Sequence, residues 1–131
     1  MRNILAATAI TVLCSACSMP PPEMDALGDI KTFLVRAPPG AVYKAILEGA
    51  RTCYAQRDIA SHFYSDNRTG MVSMSVKNGL GSHALFNAEM APAKGGTRVD
   101  VFFVKGPPIF ADAIEQWTQG IQSACPAATL R

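Results

Sequence analysis

The chain has 131 residues, enough for one small domain and too few for two separate cores. Hydrophobic residues make up 49% and charged residues 17%, a composition that excludes an intrinsically disordered chain. Lys and Arg number 12 against 10 Asp and Glu, a formal net charge of +2, and no basic run occurs; this argues against a nucleic-acid binder, which needs a clustered cationic face to neutralise phosphates.

Residues 1–16 are expected to be an export signal. Arg2 supplies a positive charge, and residues 4–13 (ILAATAITVL) form an uncharged apolar stretch. That stretch is about half of the roughly 20 residues needed to cross a bilayer, so it does not read as a permanent transmembrane helix. Leu13-Cys14-Ser15-Ala16-Cys17 follows. This string resembles the lipobox of bacterial lipoproteins, in which small residues precede a cysteine that is acylated and becomes residue one. The resemblance implies cleavage after Ala16 and lipidation of Cys17. Ser18, rather than Asp, after that cysteine implies sorting to the outer membrane, on its periplasmic face. Cys14 departs from the pattern, standing where the family has Leu or another aliphatic residue. The competing reading is an ordinary secretory signal cut after Ala16, which would leave a free thiol at Cys17. Residues 17–29 are expected to form the lipidated N-terminus and a tether. Ser18-Met19-Pro20-Pro21-Pro22-Glu23 has the polyproline stiffness to hold a domain off a membrane surface. Several acyl chains on one cysteine anchor stably where a single chain is marginal.

A single domain is expected over residues 30–126, with a short tail at 127–131. Residues 30–37 (IKTFLVRA) are β-branched and aromatic enough for a first strand, ended by Pro38-Pro39-Gly40. Val42, Ile46, Ala50 and Cys53 recur at three- and four-residue spacing, which predicts an amphipathic helix over about 40–54. Gly49 on or beside this stripe weakens the helix by about 1 kcal/mol relative to Ala and would allow close approach of another element. Four strands are predicted next. Residues 59–65 lead into the turn Asp66-Asn67-Arg68-Thr69-Gly70, and residues 71–76 alternate with Val72, Met74 and Val76 on one face. Asn78-Gly79 signals a tight turn. Residues 83–91 are expected to bury Ala84, Phe86, Ala88 and Met90. After Lys94-Gly95-Gly96, residues 98–104 bury Val99, Val101 and Phe103 and turn Arg98, Asp100 and Phe102 outward. Gly106-Pro107-Pro108 then opens a long final helix with the stripe Phe110, Ala113, Ile114, Trp117, Ile121, Ala124 and Cys125, stopped by Pro126.

Signal removal takes Cys14 and lipidation takes Cys17, leaving Cys53 and Cys125 in a compartment where disulfides persist. A structural disulfide between them is expected. Two buried free thiols or a reactive cysteine are the alternatives, but neither residue has a neighbouring His or lies in a CxxC pair. The element order predicts an α+β two-layer domain, β-α-β-β-β-β-α, with an antiparallel sheet and both helices on one face. In that order, over about residues 30–125, it resembles the helix-grip pattern of START-like ligand-binding domains and of the BamC-type domains of outer-membrane assembly lipoproteins.

No catalytic constellation, phosphate loop or zinc spacing is present, so neither enzymatic chemistry nor a cofactor is expected. His62 and His83 both fall on the outer face in this reading, where two solvated surface residues outweigh a metal pair. Three functions compete. The first is a membrane-anchored scaffold or protein-docking module with an envelope protein as partner, using an outer sheet face that exposes Tyr64 and Phe102, or a sheet edge. The second is a carrier of an apolar small molecule, lined by Met74, Phe86, Met90, Val101, Phe103, Ile114 and Trp117 between sheet and terminal helix. The third is an inhibitor of a cell-wall hydrolase, with Leu80 at a loop tip.

Overall fold

The computed structural model describes residues 28–55 and 57–127. The expected export signal, Cys17, the tether through residue 27 and the last residues of the tail lie outside them. The elements occur in the expected order: β1 (Asp29–Val35), α1 (Pro39–Cys53), β2 (Asp58–Tyr64), β3 (Thr69–Asn78), β4 (Gly81–Ala93), β5 (Gly96–Phe103) and α2 (Ile109–Thr118). Strands β2 to β5 are joined by short turns and form an antiparallel meander. Strand β1 cannot join β2 in a hairpin, because α1 lies between them and carries the chain across the sheet. It pairs instead with β5, giving the five-stranded order β1-β5-β4-β3-β2 with β1 and β2 at the edges.

Both helices cover one face. Helix α1 starts at Pro39, where a missing N–H is harmless, and the Pro38 carbonyl accepts from Ala41 and Val42 at 3.0 and 3.1 Å. Its stripe of Val42, Ile46 and Ala50 packs onto Val72 and Met74 of β3, Phe86, Ala88 and Met90 of β4, Val99 and Val101 of β5, and Ile114 and Trp117 of α2. Every one of these residues is at most 2% exposed. Lys31, on the helix side of edge strand β1, bonds Asp112 Oδ1 at 2.8 Å and Glu115 Oε2 at 2.6 Å on α2. Those two hydrogen bonds raise the lysine pKa. A charge pointing inward from an edge strand also discourages edge-to-edge pairing.

The structure corrects two expectations. The alternation in β4 breaks at a β-bulge: Met74 faces Phe86, but Ser75 faces Ala84, leaving Leu85 as the extra residue. Leu85 is buried while Ala84 falls opposite Ser75, off the core face assigned to it. The final helix also stops at Thr118, far short of Cys125. Gly120 takes φ +86°, a left-handed conformation that ends helices, and Ile121 N–H returns to the Gln116 carbonyl at 3.0 Å. Ile121, Ala124 and Cys125 therefore belong to an irregular return segment, and Ile121 is exposed.

Candidate functional site: the open face of the sheet

The return segment closes the domain at the end of α1. Cys53 and Cys125 form a disulfide with Cα atoms 5.3 Å apart. Trp117 Nε1 donates to the Ala124 carbonyl at 2.8 Å, and the Tyr54 hydroxyl donates to the Pro126 carbonyl. Burial pushes the Tyr54 phenol up to about 12. The expected bridge thus joins α1 to a loop, and its surroundings are structural.

The residues proposed to line an apolar ligand site are the core itself. Met74, Phe86, Met90, Val101, Phe103, Ile114 and Trp117 are all buried in the hydrophobic cluster. Phe86 packs against Phe110 in a tilted pair at 5.7 Å and meets Trp117 edge-on at 6.4 Å between centroids. They pack on one another. Leu80 sits in the two-residue turn between Asn78 and Gly81 and is 90% exposed. His62 and His83 do not come together. His62 faces Met71 on the open side, whereas His83 faces Val76, a core residue, because the bulge reverses the parity of β4 before Phe86. Among the described residues, no three of His, Cys, Asp and Glu converge as a metal site requires. No described helix is long and apolar enough to cross a membrane.

Among the described residues no element covers the face opposite the helices, and register assigns its rows. One row runs Ile30, Phe102, Asn87, Ser73 and Ala60 from edge to edge; the next runs Thr32, Asp100, Glu89, Met71 and His62. Ile30 and Leu34 on β1 and Tyr64 on β2 are more than half exposed. The His62 and Tyr64 rings lie 4.0 Å apart between centroids. A groove of about 300 Å³ crosses this face between Tyr64, Thr69, Met71, Glu89, Ala91 and Asp100.

Glu89 and Asp100 are directly opposed across β4 and β5. Like charges in that position repel. One oxygen of each is engaged: Asp100 Oδ1 accepts from Thr32 Oγ1 at 2.7 Å and from Arg98 Nε at 3.1 Å, and Glu89 Oε1 accepts from Asn87 Nδ2 at 3.1 Å. Arg98 therefore offsets Asp100, while Glu89 pairs with no cation among the described residues. Asn87 is 5% exposed although it stands on the open face, and its Oδ1 has no donor among the described residues. No acidic pair was named from the sequence, and this one was missed. The signal was the hairpin: Glu89 lies four residues before Ala93 and Asp100 four after Gly96, and those two residues flank the turn.

These features define a two-layer α+β domain with one helix-covered and one open sheet face. No model of a known protein family matches the chain, and no curated protein matches it.

Proposed function

We propose that this chain is a lipid-anchored bacterial envelope lipoprotein whose domain is a non-catalytic docking module, engaging an envelope protein through the open face of its sheet. The observation that carries the reading is the asymmetry of the sheet. One face is sealed by two helices over a close-packed core, while the other presents Ile30, Leu34, Tyr64, Met71 and Phe102 around a grooved, hydrogen-bonding centre. Apolar and aromatic side chains rimmed by polar groups on an uncovered surface are the composition of a protein-binding face. The lipobox-like Leu13-Cys14-Ser15-Ala16-Cys17 and the following prolines supply the anchor and spacer, with Cys17 as the acylated residue on the periplasmic side of the outer membrane. A carrier of apolar molecules would have to open the core in which its lining residues are packed, so it ranks second. The inhibitor reading rests on exposed Leu80 alone.

The test is photo-crosslinking in intact cells, with a crosslinking amino acid at Ser73 or Phe102 on the open face and at Lys44 on the solvent side of α1. The expected result is one reproducible envelope-protein adduct from the open-face positions, none from Lys44, and loss of that adduct and of membrane retention in Cys17→Ser. Equal adducts from both faces, or none from the open face, would overturn the reading.

A further inference from the structure

We infer that the outer edge of β2 pairs with β2 of a second copy of this chain, joining two five-stranded sheets into one across a two-fold axis at Ser61. The inference is independent of docking on the open face. The two edges of the sheet, β1 and β2, are built differently. Strand β1 carries Lys31 on its helix side, held by Asp112 and Glu115 of α2, and an inward charge of this kind blocks edge pairing. Strand β2 is also seven residues long, but it has no Pro, and its helix side carries Ile59, Ser61 and Phe63 with no charge among them. Among the described residues no strand pairs with its outer side.

The core layer also runs out at this edge. Ile59 and Phe63 are only half-buried. Helix α1 reaches them through Tyr43, itself half-buried, whose ring lies 5.2 Å from that of Phe63. Covering the rest of this apolar row takes one further strand that brings apolar side chains to matching positions. A strand added to an open edge gains main-chain hydrogen bonds, and its alternate side chains decide which strand fits.

The sequence of β2 fits itself. Side chains alternate along a strand, so two antiparallel copies keep their helix-covered faces on one side only when the two-fold axis lies at a residue position. An axis at Ser61 pairs all seven residues: Asp58 opposite Tyr64, Ile59 opposite Phe63, Ala60 opposite His62, and Ser61 opposite itself. An axis at Ala60 leaves Phe63 and Tyr64 beyond the ladder, and one at His62 leaves Asp58 and Ile59 beyond it and sets two imidazoles against each other. With Ser61 central, the favourable β-branched and aromatic pair occurs twice, flanking two serine hydroxyls that can bond one another. No acid opposes an acid. The Tyr64 side chain is more than half exposed and sets a donor hydroxyl against the carboxylate of Asp58, whose charge Lys77 already offsets at 3.1 Å.

The test is sedimentation velocity of the full chain in detergent, with micelles in excess of protein, together with non-reducing electrophoresis of chains made in intact cells. The parent is expected to sediment with twice the polypeptide mass of a single chain. Ser61→Lys, which gives β2 the inward charge that β1 has, is expected to be a monomer at the same concentration, with a thermal melt establishing that it is folded. Residues opposed across an antiparallel ladder have Cα atoms about 4.5 or 5.5 Å apart, within the disulfide span of about 4.4–6.8 Å. Ser61→Cys should therefore link two chains in cells, whereas Leu34→Cys on β1 leaves them single. A parent monomeric at every concentration, a dimer that persists in folded Ser61→Lys, or equal linkage through Leu34→Cys would overturn the inference. If Ser61→Lys melts far below the parent, Ser61→Cys decides alone, and the absence of a linked chain rules out pairing at β2.

Discussion

Replacing Gly49 with alanine places a methyl group where α1 crosses Trp117. A Cβ at that position would lie 2.4 Å from Cγ and Cδ2 of the indole and 2.8 Å from Cε3. Relaxed carbon–carbon contacts are about 3.5–4.0 Å, so the ring would have to retreat by about 1 Å or more. It has little room. Trp117 is fully buried, its Nε1 is held by the Ala124 carbonyl at 2.8 Å, and Phe86 packs against its edge. Overpacking of this kind costs about 1–3 kcal/mol, whereas the gain in helix propensity from Gly to Ala is about 1 kcal/mol. A displacement of that size against a fully buried, hydrogen-bonded ring falls in the upper part of the range, about 2–3 kcal/mol, so the steric term wins and leaves a net loss of about 1–2 kcal/mol. In a domain of about 100 residues that lowers Tm by about 5–15 °C. Gly40→Ala is the control in the same helix, because a Cβ there meets only Phe63 Cζ at 3.8 Å; its Tm should stay level or rise. Thermal unfolding of the oxidised proteins by circular dichroism decides the matter. If Gly49→Ala melts at or above the parent temperature, as Gly40→Ala should, the close approach of α1 and α2 is refuted.

Two further predictions concern the same end of the molecule. Cys53→Ser or Cys125→Ser opens a bridge spanning 72 positions, a loss of about 4 kcal/mol in the chain-entropy account; reduced parent and single variants should melt together, and variants that melt like the oxidised parent would rule out a stabilising bridge. The Tyr54 phenol is raised by burial from 10.0 to about 12, so the folded state holds its proton more tightly than the unfolded chain. Its contribution is complete below the unfolded value and is lost as pH rises through the folded one. Denaturant midpoints at about pH 9 and about pH 11.5 should therefore fall more in the parent than in Tyr54→Phe, and parallel declines would count against that burial.

Where the chain's periodicity is local and uninterrupted, it is legible. The three- and four-residue recurrence of Val42, Ile46 and Ala50 specifies α1, and the alternation of Val72, Met74 and Val76 specifies β3, because each pattern reports one element's buried side. The Cys53–Cys125 pairing was also legible, by elimination among four cysteines. The end of α2 was not. Ile121, Ala124 and Cys125 continue the helical spacing, so pattern alone extends the helix past Gly120. The chain leaves the helix there instead, and bonds from Trp117 and Tyr54 to the Ala124 and Pro126 carbonyls hold the return segment in place.

The open face shows the same division. That Glu89, Asp100, Tyr64 and Phe102 point away from the core follows from strand parity, a property of consecutive residues. That Leu85 and not Ala84 turns inward, and that His83 parts from His62, depends on a bulge set by pairing with β3. The sequence by itself determined the types and order of the elements, the apolar stripes of α1 and β3, and the tight turns between β3, β4 and β5. Only the tertiary structure decided that β1 pairs with β5, that α1 lies against Trp117 at Gly49, and that Glu89 and Asp100 share one groove. The reason is physical: periodicity is carried by neighbours along the chain, whereas strand order, bulge placement and helix termination are settled by contacts between residues far apart in it.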